Sequence, residues 1–243
     1  MKTKNKFRYL NLNYFLRKLY SLKFLNYFLS ENFLREKIFK YIFLSGYWLD
    51  YNLEENQSRS GNGSNLDQSV FLKKELKIFF KEKKIKKILD IGCGDFKWMS
   101  SLLEEIDFDY YLGIDIVDSL IEENIQNYQN NKVKFIKKDI VKDDINFLEK
   151  YDFVLIRHVF IHLKNSNIKK VLDKIKKIDF KYVCITSDPK VKINKDLKTE
   201  GRYRDVNMTI YPFSLKNYKK IIKVPVHKNE NYVDLNVYDA TIK

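Results

Sequence analysis

Small residues are scarce in this chain. Its 243 residues include one alanine (Ala240), seven glycines and three prolines. They are rich instead in Lys, Asn, Ile, Tyr and Phe, a set that AT-rich codons favour. There are two cysteines, Cys93 and Cys184, at a spacing that suits neither a zinc site nor a disulfide framework, so a reducing compartment is expected. Three scattered histidines, His158, His162 and His227, do not make a metal site, and no metal is expected. No run reaches the roughly 18 uncharged apolar residues of a membrane span, and no small-residue cleavage site follows the apolar N-terminal stretch. A cytoplasmic location is expected, with peripheral contact at the inner face of a membrane as an option.

The formal charge is +14. That charge raises a nucleic-acid partner, but a lysine excess from codon bias, spread over solvated faces, accounts for it better. The charge is uneven. Residues 1–40 hold ten Lys/Arg against two Glu, a net of +8, which leaves +6 for the rest. Leu16, Leu19, Tyr20, Leu22, Phe24, Leu25, Phe28 and Leu29 give this segment an irregular helical stripe. Two readings stand: helices lying on an anionic membrane or a partner protein, and helices packed on the core with lysines outward. We therefore expect a basic helical extension over 1–57 and one domain over 58–243.

Where glycine is rare, its positions are informative. Gly92 and Gly94 lie in Ile88-Leu89-Asp90-Ile91-Gly92-Cys93-Gly94-Asp95-Phe96-Lys97-Trp98. An apolar run enters from Ile85, the chain turns, and a helical pattern follows at Trp98, Met99, Leu102 and Leu103. Strand, Gly-x-Gly turn and helix open a nucleotide-binding α/β fold. The third glycine of the dinucleotide fingerprint is missing, since Lys97 takes its place. Asp90 and Asp95 flank the turn, where a pyrophosphate would be repelled. Two carboxylates suit a ligand with an ammonium and a sulfonium, which describes S-adenosylmethionine.

Before the turn, Ser58 to Asn65 reads as a loop in which Ser64 or Asn65 caps a helix burying Phe71, Leu72, Leu76, Phe79 and Phe80. After it, strands and helices alternate. Tyr110–Ile116 is a strand ending at Asp115, 21 positions past Gly94, a spacing and residue type that fit both ribose hydroxyls. Val133–Ile140 ends at Asp139, placed to accept from the adenine amino group while Ile140 packs on the ring. Tyr151–Arg157 leads to His158-Val159-Phe160-Ile161-His162-Leu163, and Tyr182–Thr186 is a fifth strand. Alternation predicts a parallel sheet with ligands at the C-terminal strand ends, where Asp90, Asp115, Asp139 and Arg157 fall. Residues 188–218 are irregular, as binding loops often are. Lys219–Val224 and Tyr232–Ile242 are expected to pair as an antiparallel hairpin on the sheet edge.

These residues resemble the class I S-adenosylmethionine-dependent methyltransferases over roughly residues 58–242. Ile88–Asp95 resembles the family's first motif, Gly113–Ile116 its ribose motif, Lys138–Ile140 its adenine motif, and Arg157–Leu163 the position where cofactor meets substrate. Ser60–Ser64, Gly94–Met99 and Gly201–Arg204 resemble a bacterial-type subgroup with a link to surface glycans. The resemblance implies a Rossmann-like α/β fold, a seven-stranded, mostly parallel sheet with an antiparallel last strand. It implies cofactor contacts at Ser64, Asp90, Gly92, Cys93, Gly94, Asp95, Trp98, Asp115, Ile116, Asp139, Ile140 and Arg157. Two features depart from the family. His158 stands where an acid is usual, and the 188–218 loop replaces a helix.

Methyl transfer from a sulfonium is largely a matter of alignment. A hydroxyl nucleophile also benefits from a base, for which His158 and His162 are candidates. Arg202, Tyr203, Arg204 and Asn207 are candidates for holding a polar substrate, with an ordinary surface loop as the plainer reading. The expected activity is methylation of a hydroxyl on a glycan or small polar acceptor. The alternatives are an RNA methyltransferase, supported by charge alone, and a non-catalytic cofactor-binding subunit docked through its N-terminal helices. The Asn/Asp-Pro-Pro-Tyr signature of base amino methylation is absent after the fourth strand. A nicotinamide oxidoreductase is disfavoured by Asp90, Asp95 and the missing glycine.

Overall fold

The computed structural model describes residues 31–48, 58–61, 66–148, 150–226 and 231–242. In chain order the helices are α1 (Glu31–Ser45), α2 (Leu66–Lys83), α3 (Lys97–Leu103), α4 (Asp118–Tyr128) and α5 (Asn165–Ile175). The strands are β1 (Lys87–Ile91), β2 (Tyr110–Asp115), β3 (Val133–Lys137), β4 (Tyr151–Ile156), β5 (Phe180–Ser187), β6 (Lys220–Val226) and β7 (Asn231–Asp239). They form one sheet in the order β3-β2-β1-β4-β5-β7-β6. Neighbours from β3 to β5 are parallel. β7 runs antiparallel to both β5 and β6. This is the expected mostly parallel, seven-stranded Rossmann-like sheet. The expected antiparallel hairpin forms on the sheet edge, with its second strand, β7, next to β5 and β6 outermost.

The apolar runs of β1, β4 and β5 are continuous because both faces of the sheet are covered. Successive residues point to opposite faces. Ile88, Phe153 and Cys184 pack with Leu72, Leu76, Phe79 and Phe80 of α2, Met99 and Leu102 of α3, and Leu120 and Ile121 of α4. Leu89, Val154 and Ile185 pack on the other face with Ile168, Val171, Leu172 and Ile175 of α5. Phe71, expected in this core, is instead 41% exposed, one position off the buried stripe of α2. Residues 188–219 contain no helix or strand and supply Val206, Met208 and Leu215 to the second face.

The expected leucine stripe at 16–29 lies outside the described residues, as does the expected domain boundary at 57. The part of the extension that is described, α1, packs on the sheet domain. It buries Leu34, Ile42 and Phe43. Glu36 pairs with Lys137 at 3.1 Å and Lys40 with Asp118 at 2.8 Å, which ties α1 to the β2–β3 side. Among the described residues no helix is long and apolar enough to cross a membrane.

Gly201 fits under α1 because it lacks a side chain. Its φ is +77°, and a Cβ there would meet Ile38 Cγ2 at 2.5 Å and Ile42 Cδ1 at 2.8 Å. Gly201→Ala should therefore cost about 1–3 kcal/mol through overpacking and left-handed strain. Denaturant unfolding checks this, with the control Ile193→Ala, on a side chain that is 73% exposed, expected to stay near wild type.

Candidate active site

A cleft opens at the C-terminal ends of β1, β2 and β4, with about 1000 Å³ of empty space including its mouth. The turn after β1 shapes its floor. Gly92 and Gly94 take φ of 76° and 59°. The Gly92 and Cys93 amides both donate to the Ile114 carbonyl, at 2.7 and 3.1 Å. A Cβ on Gly92 would lie 2.3 Å from Val159 Cγ2, and one on Gly94 2.5 Å from Ser60 Oγ. Asn124, on α4, donates to the Gly94 carbonyl at 2.8 Å and holds the turn from outside.

Two strand-end carboxylates face this cleft. Asp115 accepts from the Gly94 amide at 3.2 Å through Oδ2 and from the Val117 amide at 3.1 Å through Oδ1. Burial raises its pKa, and these amides oppose the rise. Asp90 is 3% exposed and accepts from the Tyr111 hydroxyl at 2.9 Å. Burial pushes its pKa up to about 7, against the pull of that hydroxyl and of Arg157. Arg157 is brought down to about 10 by burial, with Asp90 opposing. Its guanidinium lies 4.9 Å from the centroid of the Trp98 ring. Gly92, Cys93, Gly94, Trp98, Ile116, Asp139, Ile140 and Arg157 all line the cleft with these carboxylates. The Cys93 thiol is buried and its pKa raised well above the ordinary value, so it is a neutral wall.

Residues 88–178 match the family described as a methyltransferase domain. The chain therefore carries a methyltransferase domain, on a fold like that of the class I S-adenosylmethionine-dependent methyltransferases. The methyltransferase shares its fold with solved structures at low identity. The methyltransferase domain of a bacterial Hen1 is 17% identical, with 72% of this chain and 100% of that one covered and a TM-score of 0.55. Magnesium protoporphyrin IX methyltransferase from Synechocystis PCC 6803, solved with bound S-adenosylmethionine, is 14% identical, with coverage of 86% and 96% and a TM-score of 0.56. The N-methyltransferase NodS from Bradyrhizobium japonicum WM9, solved with S-adenosylhomocysteine, is 11% identical, with coverage of 73% and 89% and a TM-score of 0.55. No curated protein sequence matches the chain significantly.

Not every expected residue joins the methyltransferase cleft. Ser64 and His227 lie outside the described residues. Asp95 does not line the cleft. Its amide donates to Ser60 Oγ at 2.8 Å, which ties the turn to the preceding loop, and burial raises the pKa of its carboxylate. Asp139 lines the cleft, but its carboxylate is committed elsewhere. Oδ2 accepts twice from Arg35, at 3.1 and 2.7 Å, and Oδ1 accepts from the Val141 and Lys142 amides at 2.9 and 3.3 Å. A carboxylate has about four acceptor sites, so the expected adenine contact through Asp139 has no lone pair left to serve it.

Both candidate histidines do line the cleft. His158 is held in a left-handed conformation, φ 56°, and its amide donates to Thr186 Oγ1 at 2.9 Å. Burial, then the Arg157 charge, pushes its pKa well below 6.5. His162 stacks on Trp48, with centroids 4.3 Å apart and planes at 22°. Phe39 and Tyr203 meet its ring edge-on, each at 6.3 Å. Its Nδ1 lies 3.0 Å from the Arg202 carbonyl, which can only accept, so Nδ1 carries the proton and Nε2 keeps its lone pair. Burial brings its pKa to about 4.

The 188–218 loop gives less to the cleft than expected. Arg204 donates to the Leu163 carbonyl and Asn165 Oδ1, both at 2.8 Å, and so secures the start of α5. Asn207 is buried, donating to the Val191 carbonyl and accepting from Thr209. These two residues fold the loop. Arg202 and Tyr203 are exposed, and Tyr203 reaches the His162 ring while its hydroxyl bonds Asp205. Sequence reasoning missed Arg35, Phe39, Phe43, Trp48 and Ser60, which also line the cleft. Tryptophan offered a signal, since the chain has two and both face this cleft.

His162 gives a pH signature. Unfolded, it binds its proton near 6.5, and folded near 4, so in that window the unfolded chain holds more protons. Stability therefore falls as pH drops from 6.5 toward 4. His162→Phe should remove about 2 kcal/mol of the loss between roughly pH 7 and pH 5. Urea titrations of both chains at those two values check it. An unchanged pH slope would remove His162 from the titrating groups.

Proposed function

We propose that this methyltransferase acts on a hydroxyl of a glycan or another small polar acceptor. The observation that carries the reading is the Trp48–His162 stack at the cleft, an aromatic face joined to a neutral imidazole with a defined lone pair. Sugar C–H groups pack on the negative face of an aromatic ring, while an adjacent acceptor nitrogen can take a hydroxyl proton. A neutral imidazole suits a hydroxyl better than it suits a cationic amine. Arg157, beside His158, adds a positive field that disfavours a cationic acceptor.

The residues present fit the family's cofactor. Asp115 keeps acceptor capacity beyond the Gly94, Val117 and Ile116 amides for a ribose hydroxyl. Ile116, Leu120 and Ile140 provide an apolar slot for a base. Asp90 and Arg157 offer opposite charges for an ammonium and a carboxylate. When bound, S-adenosylmethionine supplies an electrophilic methyl on a sulfonium. The chain's part is to orient the acceptor and exclude water. His162 Nε2, and His158 beside it, accept the hydrogen bond of the incoming hydroxyl and its proton as the oxygen attacks. With pKa values held low they are weak bases, which suits a step in which alignment does most of the work.

Fold alone does not name the acceptor, since the similar structures include methyltransferases named for a porphyrin and for nitrogen. The +14 charge supports an RNA acceptor as the second reading. The two buried thiols suit a reducing compartment, so the proposal includes a cytoplasmic location, and the positive charge of residues 1–40 suits an anionic membrane surface or partner protein.

Two measurements test this reading. Asp115→Ala should weaken S-adenosylhomocysteine binding about tenfold or more by calorimetry, roughly 1.4 kcal/mol, while NAD should not bind; an unchanged affinity would remove Asp115 from the site. Labelled methyl transfer into fractionated cell extract should mark a carbohydrate or small hydroxylated fraction that resists nuclease. A nuclease-sensitive product, with binding that falls steeply with salt, would replace this reading with the RNA one.

A further inference from the structure

Arg35 lines the cleft yet has no part in the chemistry above. It is 1% exposed. Burying a guanidinium is costly unless it is paired and hydrogen-bonded. Here two carboxylates share it: Nε and Nη2 donate to Asp139 Oδ2, and Nη1 donates to Glu200 Oε2 at 3.1 Å.

Each carboxylate connects Arg35 to a different side of the cleft. On the cofactor side, Asp139 is the hub of the turn after β3. Its Oδ1 gathers the Val141 and Lys142 amides, so Ile140 and Val141, both cleft walls, are set around it. On the acceptor side, Glu200 Oε1 accepts from Asn167 Nδ2 at 2.6 Å and from the Lys164 amide at 3.2 Å. The next residue, Gly201, donates its amide to the His162 carbonyl at 2.9 Å. One residue further, the Arg202 carbonyl fixes the His162 tautomer. Between the two arms stands α1, which contributes Phe39 and Phe43 to the cleft as well as Arg35 itself.

We propose that Arg35 is a positioning residue: by bridging Asp139 and Glu200 it holds α1 in place as the roof of the cofactor cleft, so that cofactor affinity and the setting of His162 depend on the same guanidinium. The proposal rests on the cofactor assignment and is independent of the acceptor. The half-solvated pair of Lys40, on the same helix, with Asp118 of α4 is the natural control, since such ion pairs contribute little.

The test compares Arg35→Met, Arg35→Lys, Glu200→Gln and Lys40→Met, each held well below its melting midpoint. Calorimetry with S-adenosylhomocysteine reads the cofactor arm, and proton NMR titration of His162 reads the acceptor arm. Arg35→Met should weaken binding about tenfold or more and move the His162 titration up from about 4 as its stack loosens. Arg35→Lys, a point charge that serves the two carboxylates less well, should fall between Met and wild type. Glu200→Gln should move His162 with a smaller change in affinity, and Lys40→Met should stay within about twofold. An Arg35→Met chain that melts lower but binds within about twofold, with His162 unmoved, would overturn the proposal and reduce Arg35 to a stability pin. Losses in Lys40→Met as large as those in Arg35→Met would overturn it too, because any weakening of α1 would then suffice. If Arg35→Met does not fold, Arg35→Lys and Glu200→Gln decide by the same two readouts. Failure of the wild-type chain to bind S-adenosylhomocysteine would instead count against the cofactor assignment.

Discussion

The Ile114 carbonyl, accepting two amides of the glycine turn at once, is the constraint on which the cleft depends. It pulls the end of β1 across the end of β2. The turn then passes so close to Val159 and Ser60 that a methyl group at either glycine would collide with them. That closeness buries Asp90 and Asp115 together at adjacent strand ends. Neither carboxylate would be perturbed on an open surface; their shifts follow from the backbone path. Because the turn is drawn tight, its own amides are spent on Ile114 and on Asp115, and the cleft offers a ligand carboxylates rather than bare N–H groups. This is the electrostatic difference from a pyrophosphate-binding turn.

Burial of charge is used in two ways around this cleft. Burial pushes Asp90 up to about 7 and brings Arg157 down to about 10, each opposed by the other's charge. Arg35, by contrast, has its guanidinium held from both sides by carboxylates, and so has Asp139 its four acceptor sites filled. The first pair lines the cleft beside the glycine turn. The second is structural, in the sense that it fixes where walls and roof stand. Both are buried ionic groups, and the count of hydrogen bonds around Arg35 and Asp139 marks the second as structural.

That count explains what could be read from the sequence and what could not. The sheet was legible because continuous apolar runs alternating with amphipathic stretches admit few arrangements. Asp90 and Asp115 were legible because a strand end in a parallel sheet is a place as well as a residue. Asp139 sits at an equivalent strand end, yet its carboxylate serves Arg35, which is 104 positions away; no local pattern announces such a partner. Asp95 was misread for a related reason, since adjacency to the turn does not say which way a side chain faces. Arg204 and Asn207 show the limit for loops: polar residues in irregular segments often spend their hydrogen bonds on folding the segment itself. The 188–218 loop also has no periodicity from which its packing could be inferred, and Phe71 shows that even a sound helical stripe is uncertain by one residue at its margin.

The reach of the Arg35 contacts, 104 and 165 positions along the chain, bears on biosynthesis. The helix carrying Arg35 leaves the ribosome before either of its carboxylates exists. The central strands can pair and bury their apolar faces while that helix still waits for Glu200, 165 positions further on. Long-range contacts of this kind close late, because the intervening loop entropy is lost before they form. A nascent polypeptide halted before residue 200 would have Asp139 but not Glu200 to hold that guanidinium, and so only one of its two anchors.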